Sequence, residues 1–191
     1  MHLNIIKLKN KKMDKFNLNE LGEIITPEIF FGEHHYFDAD EELFPMAKFI
    51  KDRTDYNSYI EPDRIKFLYT DKLQKDGSRY TIGHLIVRSD LEKMVNDEFD
   101  FIAILSYNIW KELDVENKII QLDKILCGID MGTIDKPVVK KQATDSREYV
   151  QSLKYWGFDK VLNSSEIVHL AAERLVEQKK DETKSKKIKP Q

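Results

Sequence analysis

The feature that constrains the fold most is a nearly continuous apolar run at residues 99 to 105, with the sequence FDFIAIL. A run of this kind is typical of a central strand that is buried on both faces. Residues 64 to 69 (RIKFLY) and 79 to 87 (RYTIGHLIV) also have the composition of strands. The second of these follows a turn in which Gly77 supplies a positive φ. The sequence therefore predicts a sheet of three strands or slightly more.

Segments with helical periodicity surround these strands. Capping residues predict where the helices begin: Asp40, then Ser89 or Asp90, then Asp114, then Asp145 or Ser146, and last Ser164 or Ser165. The helix after Asp114 should run for about 14 residues, because Ile119, Leu122, Leu126 and Ile129 define one apolar face, and Gly128 and Gly132 mark its end. Gly157 is expected to end the fourth helix.

The length of 191 residues corresponds to one domain with extensions. We expect an N-terminal extension over residues 1–26, an α+β domain over 27–178 and a disordered, lysine-rich tail over 179–191. The domain should consist of a small sheet packed on helices, with a helix at its C-terminal end.

Composition excludes several classes of protein. The net charge of −3 does not indicate a globally basic nucleic-acid binder, and one cysteine excludes a disulfide framework or a multi-cysteine zinc site. No apolar run reaches the roughly 18 residues that a membrane helix needs. The first residues lack a convincing signal-peptide pattern, so we expect a cytoplasmic protein.

The helix after Asp114 is the place where a metal motif would be informative. In the zinc motif H-E-x-x-H, two histidines four residues apart converge on one metal, and the glutamate acts as the general base. The sequence here is Lys124-Ile125-Leu126-Cys127-Gly128.

The surrounding segments resemble a known family. The matching pieces, in order, are Asp63 to Leu68, Lys72 to Gly77, Phe99 to Ile104, Trp110 with Leu113 and Asp114, Leu122-Asp123 with Leu126-Cys127, and Asp145, Tyr149, Tyr155, Gly157 and Phe158. Together these segments resemble the phage metallopeptidase family, a group of small zincin-like proteins of phages and prophages. The resemblance covers about half the chain and implies a zincin-like fold.

The chain departs from the family at its catalytic residues. The family helix reads L-D-H-E-L-C-H, so the resemblance puts Lys124 and Gly128 at the two histidine ligands and Ile125 at the catalytic glutamate. The third ligand corresponds to Thr144. Because a protonated lysine has no free lone pair and isoleucine and glycine offer no donor group, we expect no metal, no cofactor and no zinc-dependent catalysis.

The sequence also leaves other metal sites to consider. His34, His35 and His84 are candidates for relocated ligands of a metal-dependent hydrolase, and Cys127 is a further donor, although it is expected to be a buried structural residue. The acidic cluster from Glu33 to Glu42 could hold a divalent cation, but it lacks calcium-loop spacing, so a solvated helix start is the preferred interpretation.

The resulting hypothesis is a catalytically inactive, metallopeptidase-like protein of phage or prophage origin that binds a protein partner. His84, Lys124 and Ile125 are the candidate partner-binding residues, and the partner could be encoded by the host, whose cytoplasm would then be the location. The second alternative is a nucleic-acid-associated protein that uses the lysines at both ends of the chain. The sequence does not predict an oligomeric state.

Overall fold

The computed structural model describes residues 21, 24–95, 99–130, 140–141 and 150–187. The described strands are β1 (Tyr36–Asp38), β2 (Ile65–Thr70), β3 (Gln74–Asp76), β4 (Arg79–Thr81), β5 (Gly83–Val87), β6 (Phe101–Ser106), β7 (Ile129–Asp130) and β8 (Lys140–Lys141). Four of them form the main sheet in the order β1-β2-β6-β5. The pairs β3-β4 and β7-β8 are separate two-stranded units.

The main sheet is mixed, with two parallel strands in its centre. β2 and β6 are parallel, with Ile65 opposite Phe101 and Thr70 opposite Ser106. β1 and β5 are antiparallel to their neighbours and form the two edges. The apolar run at residues 99 to 105 therefore lies in the sheet centre, as the sequence predicts, and β1 adds a fourth strand to the three predicted.

The described part of the chain also contains two short 3-10 helices, at Asp55–Asn57 and Pro62–Arg64, and six α-helices: α1 (Asp40–Arg53), α2 (Asp90–Val95), α3 (Tyr107–Trp110), α4 (Val115–Leu126), α5 (Val150–Trp156) and α6 (Phe158–Lys187). α1, α4 and α6 pack together with one face of the sheet. Their shared core includes Leu43, Ile50, Phe67, Leu105, Leu122 and Val168, none more than 1% exposed. The result is the expected α+β domain with a C-terminal helix.

Several predicted helix and turn signals are confirmed. Asp114 is the N-cap of α4, where its side chain accepts a 2.8 Å hydrogen bond from the Asn117 N–H. Ser89 caps α2 reciprocally with Glu92: the Glu92 N–H donates to Ser89 Oγ, and the Ser89 N–H donates to the Glu92 carboxylate. Gly77 has a φ of +58° in the turn between β3 and β4.

Three local predictions are wrong. Ala39, not Asp40, is the N-cap of α1, because the Asp40 side chain instead accepts from the Phe67 N–H and pairs with Lys66. Residues 79 to 87 form two strands, β4 and β5, in different sheets rather than one. The last helix begins at Phe158 after Gly157, whose φ is +90°, and runs unbroken past Ser164.

The ends of the predicted domain also differ from the sequence expectation. α6 continues to Lys187, so residues 179–187 are helical where disorder was expected, and residues 188–191 lie outside the described range. Within the predicted N-terminal extension, Thr26 donates a 2.7 Å hydrogen bond to the buried Glu42. Three predicted features lie outside the described residues. They are the helix start at Asp145 or Ser146, the helix end at Gly132, and most of the N-terminal extension over residues 1–26.

Candidate functional site

The segment from Lys124 to Gly128 forms the C-terminal turn of α4 and the residues that follow it. α4 ends at Leu126, and the Gly128 N–H donates to the Ile125 carbonyl oxygen over 3.0 Å. Gly128 therefore lies just beyond the helix, as the predicted helix end requires. Thr144, the fourth position implied by the resemblance, lies outside the described residues.

Lys124 faces α6. Its ammonium group donates a 2.8 Å hydrogen bond to Ser165 Oγ, and the Ser165 hydroxyl donates over 2.9 Å to the Val161 carbonyl oxygen. The same helix pair is joined by a buried 2.9 Å hydrogen bond from Gln121 to Ser164. Lys124 thus belongs to a row of polar contacts that holds α4 against α6.

Ile125 is an apolar core residue, since its side chain is 7% exposed and belongs to the main hydrophobic cluster. An ionised glutamate at this depth would carry a large desolvation cost. This position in the last turn of α4 therefore presents a packed apolar side chain rather than an accessible carboxylate.

The side chains of this segment do not fit a zinc ion. Zinc in proteins is held by thiolate, imidazole and carboxylate groups, and Lys124 to Gly128 offers one such group, the Cys127 thiol. Cys127 is 4% exposed, and burial together with the nearby Asp123 raises its thiol pKa, which disfavours the thiolate. In the described ranges no three His, Cys, Asp or Glu side chains are grouped so that they could hold a metal ion.

Asp123, which precedes this segment, is the centre of a buried hydrogen-bond network. Its carboxylate is fully buried and accepts from Tyr56 Oη (3.0 Å), Asn57 Nδ2 (2.8 Å), Ser152 Oγ (2.7 Å) and Trp156 Nε1 (2.9 Å). The first two donors lie in a short turn after α1, and the other two lie on α5. One carboxylate therefore joins three parts of the chain.

Burial determines the ionisation of Asp123. It raises the pKa of the carboxyl from 3.8 to about 6, although the hydrogen bonds from Ser152, Trp156, Tyr56 and Asn57 act in the opposite direction. The same burial, with the charge of Asp123, raises the pKa of Tyr56. At neutral pH the site is a buried carboxylate that is stabilised by four neutral donors.

Sequence reasoning missed this network. One signal was present, because Asp123 lies four residues after Ile119 and three before Leu126 and therefore on the apolar face of α4. An acidic residue at such a position needs partners in the core. Its partners are distant in sequence, and periodicity alone could not identify them.

A second buried polar cluster lies at the other end of α4. Glu42 of α1 accepts from Lys118 Nζ (3.1 Å), Trp110 Nε1 (2.9 Å) and Tyr69 Oη (2.5 Å). Lys118 also donates to Thr26. Glu42 belongs to the acidic cluster that could hold a divalent cation. These hydrogen bonds give its carboxylate a structural role instead.

The histidines proposed as relocated ligands do not come together. His34 and His35 precede β1, where His35 Nδ1 lies 3.2 Å from the Asp71 carboxylate, whereas His84 lies on β5 at the opposite edge of the sheet. Three inter-strand spacings separate the edge strands, which is about 14 Å. One metal ion cannot bridge that distance, so this alternative is wrong for these three residues.

His84 and Ile125 also lie on opposite sides of the sheet. Leu85 and Ala103 belong to the core cluster with Ile125, and side chains alternate along a strand, so His84 and its partner Ile104 face the other side. The three candidate partner-binding residues therefore do not form one continuous surface. Partner binding by each of them stays a prediction.

β8 lies close to β5, and the register of β5 with β6 defines which backbone groups of β5 pair inside the sheet. The Ser106 N–H donates to the Ile82 carbonyl and the Arg88 N–H donates to the Asp100 carbonyl, so residues 82, 84, 86 and 88 pair with β6. Antiparallel pairing alternates along the strand. The backbone groups of Gly83, Leu85 and Val87 therefore point away from β6, toward the outer edge.

Gly83 is required by this pairing. A Cβ atom at this position would lie 2.2 Å from the Ile104 carbonyl oxygen.

None of the helices in the described ranges combines the length and apolarity needed to span a membrane.

The mixed sheet, with helices α1 and α4 packed on one face and an antiparallel edge strand, defines a zincin-like α+β protein. Residues 34–182 match the model of a family described as "Putative phage metallopeptidase", and the chain belongs to that family. No curated protein and no solved structure matches the chain. The resemblance stated from the sequence is therefore confirmed over a longer range than the motifs covered.

Proposed function

We propose that this protein is a member of the phage metallopeptidase family that lacks zinc-dependent peptidase activity and instead binds a protein partner. The observation that carries the first half is the chemistry at Lys124, Ile125 and Gly128, which provides no zinc ligand and no general base. Lys124 is engaged with Ser165, and Ile125 packs in the core. Both contacts support a structural use of this turn.

The zinc content of the purified protein tests directly whether the protein lacks zinc-dependent peptidase activity. After purification and dialysis, plasma mass spectrometry should find substoichiometric zinc, and casein should not be cleaved when zinc is added. A zinc peptidase of known activity, handled in the same way, serves as the positive control. One zinc per chain retained through dialysis, together with cleavage of casein, would overturn the assignment.

The edge strand β5 supports the second half of the proposal. Its outward backbone groups at Gly83, Leu85 and Val87 have the geometry to pair with an extended segment of another protein. His84, one of the candidate partner-binding residues, lies on this strand. An incoming strand would extend the sheet and would be held by main-chain hydrogen bonds.

Exposed apolar side chains lie in β5 and in the helix that follows it. Ile86 is 38% exposed, and on α2 Leu91 is 72% and Met94 is 85% exposed. Large apolar side chains with this exposure are suited to contact with apolar residues of a partner. Met94, the farthest of them, lies seven residues after Val87 along the chain.

Proline at position 87 tests this surface. Val87→Pro removes one outward N–H without removing a bond to β6, and proline is tolerated on edge strands in this orientation. Val87→Ala is the matched control, because it shortens the side chain but keeps the N–H. Both variants should show wild-type circular dichroism.

The comparison uses chemical cross-linking and affinity capture from bacterial lysate with the three forms in parallel. We expect at least one protein to be captured by the wild type and by Val87→Ala but not by Val87→Pro. Equal capture by all three forms, or no capture by any, would count against partner binding at β5. The comparison therefore tests whether capture depends on the backbone N–H of residue 87, which Val87→Ala keeps and Val87→Pro lacks.

A further inference from the structure

The hairpin formed by β3 and β4 is attached to α6 through His169. The Tyr80 N–H of β4 donates a 3.3 Å hydrogen bond to His169 Nδ1. The Tyr80 ring also packs against the imidazole, with 5.8 Å between the ring centroids and 32° between the ring planes. The His169 side chain is 18% exposed, and Tyr80 packs against the hydrophobic core. One imidazole therefore contacts both the backbone and the side chain of Tyr80.

This contact defines where the imidazole carries its proton. A ring nitrogen that accepts a hydrogen bond has no proton of its own, so His169 Nδ1 is unprotonated in this arrangement. The other nitrogen, Nε2, lies 3.5 Å from a carboxylate oxygen of Glu173, one turn later in α6. The attachment of the hairpin therefore requires a neutral His169 with its proton on Nε2.

A second polar contact joins the hairpin to α6. Arg79 of β4 forms an ion pair with Glu166, which lies three residues before His169. The two side chains are 39% and 48% exposed, and ion pairs this open to solvent contribute little to stability. Among the polar contacts of the hairpin with α6, the hydrogen bond to His169 is therefore the more important one.

Cations approach the same region from two other elements. Lys75 Nζ of β3 lies 4.5 Å from the centroid of the Tyr80 ring. Lys124 of α4 donates to Ser165 Oγ, one turn before His169 on α6. These lysines and the arginine of β4 oppose a further positive charge on the imidazole, whereas the carboxylate beside Nε2 favours it. Neither influence replaces the acceptor that protonation removes at Nδ1.

We propose that protonation of His169 releases the β3–β4 hairpin from α6, so that acidification opens this part of the domain. Imidazole is the side chain that gains a proton between about pH 8 and 5. A proton on Nδ1 would face the Tyr80 N–H, and two donors without an acceptor between them are unfavourable at a half-buried position. Release would expose the Tyr80 ring and the backbone edge of β4. This inference is independent of the proposed partner binding.

Amide hydrogen exchange of Tyr80 tests the proposal. It is measured by NMR on the full chain between about pH 8 and 5.5 and divided by the intrinsic exchange rate at each pH. We expect the protection of the Tyr80 amide to fall about tenfold across this range, the effect of one lost hydrogen bond. The midpoint should coincide with that of the imidazole nitrogen chemical shifts of His169, recorded on the same sample.

His169→Asn is the matched control variant. The asparagine side chain keeps an acceptor oxygen near the position of Nδ1 but does not titrate. Asp123, whose raised pKa of about 6 falls in the same pH range, is unchanged in this variant. Any fall in protection that is caused by Asp123 should therefore occur in both proteins, and the additional tenfold fall should occur in the wild type alone.

Three results would overturn the proposal. The first is an equal pH dependence of Tyr80 protection in the wild type and in His169→Asn. The second is a Tyr80 midpoint that differs from the midpoint of the imidazole. The third is a set of nitrogen shifts that places the proton on Nδ1 at pH 8. The last two measurements use the wild type alone, so they test the proposal even where the asparagine variant is less stable.

Discussion

Replacing Asp123 by asparagine removes the one titrating group at the centre of the buried network while keeping its shape. The asparagine cannot accept from all of Tyr56, Asn57, Ser152 and Trp156, because its amide nitrogen is a donor. Asp123→Asn is therefore expected to destabilise the protein at every pH. The informative quantity is how the difference in unfolding free energy between the two proteins changes with pH.

The sign follows from the raised pKa. Between pH 3.8 and about 6 the folded protein keeps a proton on Asp123 that the unfolded chain has lost, so the unfolding free energy falls as pH rises through this window. The full shift corresponds to about 3 kcal/mol, of which about 2 kcal/mol lies between pH 4.5 and 7. Stability from this group is complete below the lower value and lost above the higher one.

Urea unfolding followed by tryptophan fluorescence, at half-unit steps from pH 4.5 to 7.5, gives the required free energies. The wild type should lose about 2 kcal/mol relative to Asp123→Asn between pH 4.5 and 7, and the difference should then stay level. Taking the difference at each pH removes the contribution of carboxylates that titrate equally in both proteins.

The opposite slope would refute the reasoning. A difference that grows in favour of the wild type as pH rises would mean that the four hydrogen bonds outweigh burial, and that Asp123 has a depressed pKa. A flat difference would mean that the two effects cancel. Either result would remove the basis for treating burial as the dominant influence on this carboxyl.

Three further predictions concern stability alone, and urea unfolding measures each of them. Lys118→Met leaves Glu42 without its cation and should cost about 3 kcal/mol or more, whereas the double variant with Glu42→Gln should recover part of the loss. Gly83→Ala should cost about 1–3 kcal/mol, because the added Cβ meets the Ile104 carbonyl oxygen, and a neutral result would show that β5 shifts freely. Burial favours protonation of Asp100, but hydrogen bonds from two cations hold its pKa below the ordinary value, so Asp100→Asn should cost less as pH falls below about 4.

Elements with strong local signals were predictable from the sequence. The strand around Phe101 is apolar at nearly every position because both of its faces are covered, and α4 begins at the cap that Asp114 provides. These signals are local, since they depend on residues within one or two turns. The resemblance added the zincin-like fold, which local patterns could not specify.

Long-range pairing explains most of what the sequence did not predict. β1 consists of three residues in an aromatic segment, and it becomes a strand because β2 is there to pair with it. The bend between β4 and β5 is not marked by a proline, so residues 79 to 87 have the pattern of one strand. Aspartate is a common N-cap residue, but the Asp40 carboxylate accepts hydrogen bonds from the Phe67 N–H and from Lys66 of the neighbouring strand.

The candidate site was predictable in its chemistry but not in its surroundings. The sequence identified Lys124, Ile125 and Gly128 as residues that cannot serve as zinc ligands. The contacts of Lys124 and Ile125 explain how the fold can use them. A turn that holds a metal must keep its ligands accessible to the cleft, whereas Ile125 is buried in the core and Lys124 is bonded to α6. Each side chain contributes to packing between α4 and the rest of the domain. On the proposed alignment, restoring one ligand would therefore disrupt packing without creating a site, because a single imidazole or carboxylate does not supply the three protein ligands of a catalytic zinc.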